Sequence, residues 1–493
     1  MRTAIVWFRR DLRLADHPAL NAALTDAERV VPLYVHAPDE EAPWPPGGAS
    51  RWWLHHSLAA LDAALTARGA RLVLRSGPCM GALLEVAAAT GATRVYWNRA
   101  YEPAVIARDT QLQAALREHG LGVDTLPGNL LLEPWAVQSG SGEPYRVFTP
   151  FWRACQPRLA GLAPPTPAPA AIPLAAGTPP SVPLAALGLL ARQGWVQGLA
   201  SAWVPGEAGA AARLATFAAR TLARYAEQRD RPDLPGCSRL SPHLHFGELS
   251  PRQVVARIGQ PAAAGPGLAT GAESFIRQLI WRDFAHHVLY HFPHTAQQPL
   301  DTRFAAFRWR NDPAALGAWQ RGVTGIPLVD AGMRELWQTG YMHNRIRMLV
   351  ASLLTKNLGL DWLHGARWFH DTLVDADLAN NTLGWQWTAG CGADAAPYYR
   401  IFSATLQAER FDPRRDYLRR WLPELRSLPE EWLHRPFEAP AAVLAAAGVE
   451  LGRTYPKPIV DLKASRDRAL TAWRQLRGTA TIPRRGRARS DPP

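Results

Sequence analysis

The sequence predicts an α/β domain, then a linker, then an all-α domain. Three observations carry that prediction. The first 135 residues alternate short β-rich runs with amphipathic stretches, the pattern of a doubly wound parallel sheet. Residues 161–185, GLAPPTPAPAAIPLAAGTPPSVPLA, are Pro- and Ala-rich and read as an extended linker. From about 205 to 475 the pattern is helical almost throughout, punctuated by Pro and Gly. A chain of 493 residues also exceeds what one hydrophobic core supports, so two domains are the default. The boundaries read as 1–135 for the α/β domain, 136–204 for the linker and 205–476 for the helical domain. Residues 477–493 form a basic, Pro-ended tail expected to be disordered.

In the first domain the strand candidates are TAIVWF, RVVPLYVH, ARLVLRS, TRVYWN and GVDTLP, spaced about one βα unit apart. Between them lie PALNAAL, SRWWLHHSLAALDAALTARG, a stretch from Met80 to Thr90, and PAVIARDTQLQAALREHG. The second of these places Trp53, Leu54, Leu58, Leu61 and Leu65 at helical spacing, with Ser50 as its expected N-cap and Gly69 closing it. No GxGxxG follows the first strand, so the standard dinucleotide fingerprint is absent.

Lys plus Arg exceed Asp plus Glu by 13, an excess that attracts polyanions, nucleic acid first among them. Four cysteines (Cys79, Cys155, Cys237, Cys391) lie far apart with no CxxC, so reduced thiols and no metal site are expected. The N-terminal MRTAIVWF is too short an apolar run for a signal peptide, and no window approaches a membrane span. The expected location is cytoplasmic.

Three segments of the helical half carry chemistry. In GYMHNRIRMLVASLLTKN, residues 340–357, Asn344, Arg347 and Met348 share one helix face and Arg345 leaves it. In FIRQLIWRDFAHHVLYHFP, residues 275–293, Gln278 and Arg282 are one turn apart with Trp281 beside them. The CSRLS loop, Cys237 to Ser241, offers hydroxyls, a thiol and backbone amides before a Pro, a composition that suits phosphate. Further on, DADLANNTLGWQW packs two carboxylates, two adjacent amides and two Trp residues into residues 375–387. Trp is rare and bulky, while amides and carboxylates resist burial, so the concentration of all of them marks a special site.

In order along the chain, GCSRLSPHLHFGELSPRQ, LIWRDF, GIPLVDAGMREL, GYMHNRIRM and DADLANNTLGWQWTAGCGADAAPYYRIF closely resemble the photolyase/cryptochrome flavoproteins. WFRRDLRLADHPAL resembles the start of the same proteins, so the likeness covers nearly the whole chain. GASRWWLHHSL and NTLGWQW are most similar to class III cyclobutane pyrimidine dimer photolyases. The resemblance implies an N-terminal antenna domain and a helical FAD-binding domain. It implies light-driven repair of cyclobutane pyrimidine dimers by electron transfer from reduced FAD, held as the anionic hydroquinone. The alternative is a cryptochrome-type photoreceptor using the same flavin without repair.

By the same resemblance, Tyr225, Cys237, Ser238, Arg239, Leu240, Ser241, Phe275, Arg282, Asn344, Arg347, Asp375, Ala376, Asp377 and Asn381 are expected to bind the cofactor. Arg347 and Asp375 are expected to be partners, since either would be costly to bury alone. Asn381 corresponds to the position facing the reactive flavin nitrogen; plant cryptochromes carry Asp there, so Asn favours repair. Asn381, Gln278 and Met348 are the expected catalytic residues, and Trp385, Trp362 and Trp309 the electron-transfer chain. DNA is expected at Arg229, Gln278, Trp281, Arg282, Asn344, Arg345, Trp387 and Gln407. Three positions depart from the family's usual pattern: Gln278 stands for Glu, Cys237 for Thr and Tyr341 for Trp. An antenna chromophore is expected, methenyltetrahydrofolate first and a deazaflavin second. The partner is DNA containing pyrimidine dimers, with no membrane, no obligate protein partner and a monomeric state expected.

Overall fold

The five expected strands form one parallel sheet in the computed structural model, which describes residues 2–190, 195–262, 265–398 and 400–478. They are β1 (Thr3–Phe8), β2 (Arg29–His36), β3 (Val73–Ser76), β4 (Arg94–Asn98) and β5 (Gly122–Leu126), in the order β3-β2-β1-β4-β5. Helices α1 (Pro18–Asp26), α2 (Gly48–Thr66), α3 (Cys79–Thr90) and α4 (Pro103–Glu118) make the crossovers. Both sheet faces are covered: Val6, Phe8 and Tyr34 pack with α2, while Ile5, Trp7, Leu33 and Trp97 pack with α3 and α4. Strands buried on both faces read as continuous apolar runs, which is why they stood out in the sequence.

One cap differs from expectation. Helix α2 begins at Gly48, not after Ser50, and Gly47 caps it without a side chain. The missing acceptor comes from the other domain, where Asp371 Oδ1 accepts from Gly48 N at 2.8 Å. Gly69 does close the segment, with φ +85.

Beyond the sheet come α5 (Phe148–Leu159), α6 (Val196–Ala202), α7 (Glu207–Arg220), α8 (Tyr225–Gln228), α9 (Ser241–His245), α10 (Pro251–Ala262) and α11 (Pro266–His291). The helical core continues through α12 (Pro313–Arg321), α13 (Pro327–Thr339), α14 (Asn344–Ser352), α15 (Trp362–Thr372), α16 (Leu378–Ala389) and α17 (Ala404–Phe411). The stretch 136–204 thus holds helix α5, whose Phe148, Phe151 and Trp152 are buried against α11. Residues 161–185 run extended over the α/β domain, bonded at Asp16, Arg68 and Val30. The basic tail from residue 479 lies outside the described residues.

The two domains share a polar seam. Leu14 N and Ala15 N donate to Glu207 at 2.9 and 3.0 Å, and Asp16 accepts from Ser250 and Arg252. The fully buried Arg13 donates to the carbonyl of Gly247 at 2.9 Å. Leu131 N and Leu132 N both donate to Asp283, and Trp53 Nε1 donates to Glu248. These pairings satisfy buried charges that would otherwise oppose burial. No helix among the described residues is long and apolar enough to cross a membrane.

Candidate active site

Helix α14 meets the segment that leads into α16 across an ion pair. Arg347 Nη2 stands 3.0 and 2.8 Å from the two oxygens of Asp375, and Ser241 Oγ donates to the same carboxylate at 2.6 Å. The expected partnership is therefore present, and it ties α14 to the Cys237–Ser241 loop. Burial opposes the charge on the Arg347 guanidinium, but Asp375 holds its pKa above the ordinary value.

The loop itself is built by close approach. A Cβ at Gly236 would lie 2.4 Å from the Gln228 carbonyl, so only glycine lets the chain pass. Arg239 adopts a left-handed φ of +54, and Ser238 Oγ accepts from Leu240 N. The Arg239 guanidinium lies 4.6 Å over Trp203 and 4.8 Å over Tyr341. Its Nε is buried without a hydrogen-bond partner, and among the described residues no carboxylate pairs with it. A desolvated cation with an unused donor is a fit for an anionic group such as a nucleotide phosphate. Cys237 donates to the Arg229 carbonyl, and burial pushes its thiol up to about 11, so it stays protonated. Tyr225 and Phe275 pack edge to face at 5.2 Å behind the loop.

Helix α16 starts at Asp377, whose side chain accepts from Asn380 N at 2.8 Å. One turn in, Asn381 Nδ2 donates to the Ala366 carbonyl of α15 at 2.8 Å. That bond orients the amide, leaving its oxygen and its second N–H available. Trp385, on the same face, is buried with its ring against Gly365. Trp362 opens α15 and is buried like Trp385, whereas Trp309 is half-buried. Trp319 and Phe369, at 6.0 and 5.0 Å from Trp385, complete that aromatic core.

A second wall faces solvent. Asn344 is exposed and donates to Met348 Sδ at 3.8 Å, confirming their shared face. On α11, Gln278 Oε1 accepts from Arg229 at 3.3 Å, and half-buried Trp281 stacks on Phe148 at 3.7 Å and 8°. Phe148 had no distinguishing signal in the sequence. Arg345 does leave the Asn344 face, but it pairs with Asp230 at 2.6 Å, beside Arg229. Arg282 is tied elsewhere: its guanidinium donates to the carbonyls of Asn129 and Leu244 at the domain seam. Trp387 and Gln407 are half-buried on α16 and α17, and Ala376 is buried between the two aspartates.

Ala376 also lines a cleft between the domains, with Trp7, Arg9, Arg10, Tyr34, Glu41 and His370 among its other walls. The cleft opens at the C-terminal ends of β1 and β2.

A parallel-sheet domain locked onto a helical domain with an anion-ready loop defines a nucleotide-cofactor protein without a dehydrogenase fingerprint. Residues 4–170 match the DNA photolyase family model, and residues 275–475 match the FAD binding domain of DNA photolyase. The deoxyribodipyrimidine photo-lyase of Agrobacterium fabrum is 47% identical over 481 residues, 96% of this chain and 98% of that one. Cryptochrome-1 of Arabidopsis thaliana is 40% identical over 96% of this chain and 70% of its own. A bacterial class III photolyase structure from Agrobacterium tumefaciens superposes with a TM-score of 0.93 at 46% identity, covering 97% of this chain and 98% of that one. The chain belongs to the photolyase/cryptochrome family of FAD-binding proteins.

Proposed function

We infer that this chain is a deoxyribodipyrimidine photo-lyase, a light-driven enzyme that splits cyclobutane pyrimidine dimers in DNA. The observation that carries repair over the photoreceptor alternative is Asn381, an uncharged amide oriented by the bond from one of its N–H groups to the Ala366 carbonyl. Its oxygen can accept a hydrogen bond but cannot deliver a proton. The 47% identity to a photo-lyase supports the same reading.

Bound reduced FAD supplies the electron that, on illumination, opens the dimer's cyclobutane ring. The residues of this chain bind and orient. Arg239, Ser238 and Ser241 would hold the pyrophosphate, and the Arg347–Asp375 pair, which Ser241 joins, would offer the cofactor a cation and an anion. Tyr225 and Phe275 back the loop with apolar surface. Trp385, Trp362 and Trp309 would carry electrons inward from the surface to the bound flavin.

Extrusion of the target base is a general property of base-modifying enzymes, photolyases included, and is not read from this sequence. The flipped dimer would be received against the stacked Trp281 and Phe148, with Trp387 and Met348 as further apolar surface. Gln278, its carbonyl held by Arg229 and one N–H turned to the Ser274 carbonyl, has its other N–H for a pyrimidine carbonyl. Arg229 and Arg345 share one Asp230, leaving one positive charge in excess for a backbone phosphate. The protein works as a monomer on DNA, without an obligate protein partner. The cleft between the domains lies at the C-terminal ends of strands, where parallel sheets bind ligands, so it is proposed for the antenna chromophore, a folate before a deazaflavin.

The test is illumination of the FAD-reduced protein with a thymine-dimer oligonucleotide. Thymine absorbance recovers if the reading is right; no recovery by protein that holds reduced FAD overturns repair in favour of a photoreceptor.

A further inference from the structure

We propose that His286 is a positioning residue for this site: a buried imidazolium that holds Asp377 and, through it, the first turn of α16. The proposal rests on the flavin-site reading only for what α16 carries; the geometry around His286 stands by itself. His286 is 4% exposed on α11. Its Nδ1 lies 3.0 Å from the carbonyl oxygen of Arg282, one turn back. Its Nε2 lies 3.3 Å from Asp377 Oδ2. Both neighbours only accept hydrogen bonds. A neutral imidazole carries one N–H and satisfies one of them; the imidazolium donates to both.

Asp377 is the junction. Its Oδ1 accepts from Asn380 N and Asn380 Nδ2 at 2.8 and 2.7 Å, closing the first turn of α16, while Oδ2 faces His286 and, at 3.8 Å, His245 of α9. Asn381 follows in that first turn and Trp385 one turn later, so a shift of the helix start moves both.

The charged and titratable groups facing His286 come from every side. Its own helix supplies Arg282 and Asp283, α9 supplies His245, and the segment after β4 supplies Glu102 and the Tyr101 ring at 6.2 Å. Arg10, after β1, pairs with Glu102. Burial lowers the pKa of His286, but Asp377 and Glu102 outweigh it, and the value stands above that of an ordinary histidine. Burial likewise opposes ionisation of Asp377, yet His286, His245 and Arg282 hold its carboxyl well below the usual range. The contribution of the imidazolium is therefore full below the ordinary histidine pKa. It is lost as pH rises through the raised value.

The experiment measures FAD retention and photoreduction rate from about pH 6 to about pH 9 in the wild type, His286→Gln and His286→Arg. It adds an NMR titration of the His286 ring proton in ¹³C-histidine protein. The wild type should show an alkaline limb in which both quantities fall about tenfold. His286→Gln, with no charge and a single donor end, should be flat at the alkaline level. His286→Arg, with donors for both acceptors at every pH, should be flat at the acid level. An alkaline limb that persists in His286→Gln, or a ring-proton midpoint at or below the ordinary histidine value, overturns the proposal. The NMR titration is read in FAD-free protein as well. A raised midpoint there upholds the imidazolium even if dimer repair fails, which separates this proposal from the functional reading.

Discussion

Gly365→Ala is the sharpest perturbation available near the aromatic core. Gly365 sits inside α15, where alanine would ordinarily stabilise by about 1 kcal/mol. A Cβ there would stand 2.0 Å from the Trp385 ring, whereas ordinary contact begins at 3.4 Å, so indole or helix must yield by about 1.4 Å. Overpacking of that kind costs about 1–3 kcal/mol, and the clash involves three ring carbons at once. Net destabilisation of about 0–2 kcal/mol is expected once the propensity gain is offset. Because Trp385 is the proposed innermost relay, displacing it should also slow photoreduction of oxidised FAD, while repair by chemically reduced enzyme persists. The control lies on the facing helix: a Cβ at Gly384 meets nothing within 4 Å, so Gly384→Ala should stabilise by up to about 1 kcal/mol and leave photoreduction unchanged. Urea midpoints and flash photoreduction kinetics read both variants. A Gly365→Ala protein that is more stable than wild type and photoreduces normally would refute the packing argument.

Trp385→Phe should abolish photoreduction of oxidised FAD yet spare repair after chemical reduction; loss of both activities would make the residue structural. Asn381→Asp should change the visible spectrum at which illumination comes to rest and lower repair, and an unaltered spectrum would remove the reason for singling out this amide. Lys356 is buried at 2% exposure, donates to the Arg400 carbonyl at 2.8 Å, and has its pKa pushed down to about 7 by burial, with Cys391 opposing and Arg400 assisting. The folded chain therefore binds fewer protons than the unfolded chain between about pH 7 and the ordinary lysine value, and stability rises with pH across that window by up to about 1.4 kcal/mol per unit. Lys356→Met should flatten that slope in urea unfolding; an unchanged slope would count against the buried charge.

What was legible in the sequence follows from range. The sheet was readable because each strand is a local apolar run, and the shared face of Asn344 and Met348 because helical spacing is local. Arg347 and Asp375 could be paired because neither tolerates solitary burial. The cap of α2 was not readable, since its acceptor, Asp371, arrives from 323 positions away. Nor was the fate of Arg345, claimed by Asp230 from a distant loop, or of Arg282, spent on two carbonyls at the seam. Helix α5 was masked by its internal Pro157 and its place in a stretch that reads as a connector. The orientation of Asn381 depends on a carbonyl of α15, which no side-chain pattern announces.

The seam has a further consequence for how the molecule fails. With α2 completed by Asp371 and the Leu12–Asp16 loop threaded into carbonyls and carboxylates of the helical half, neither half is finished by itself. Cutting the chain within 161–185 should leave the pieces clasped together, and heat should melt them in one step. Shuffling either half onto a foreign counterpart would break a handshake encoded in both.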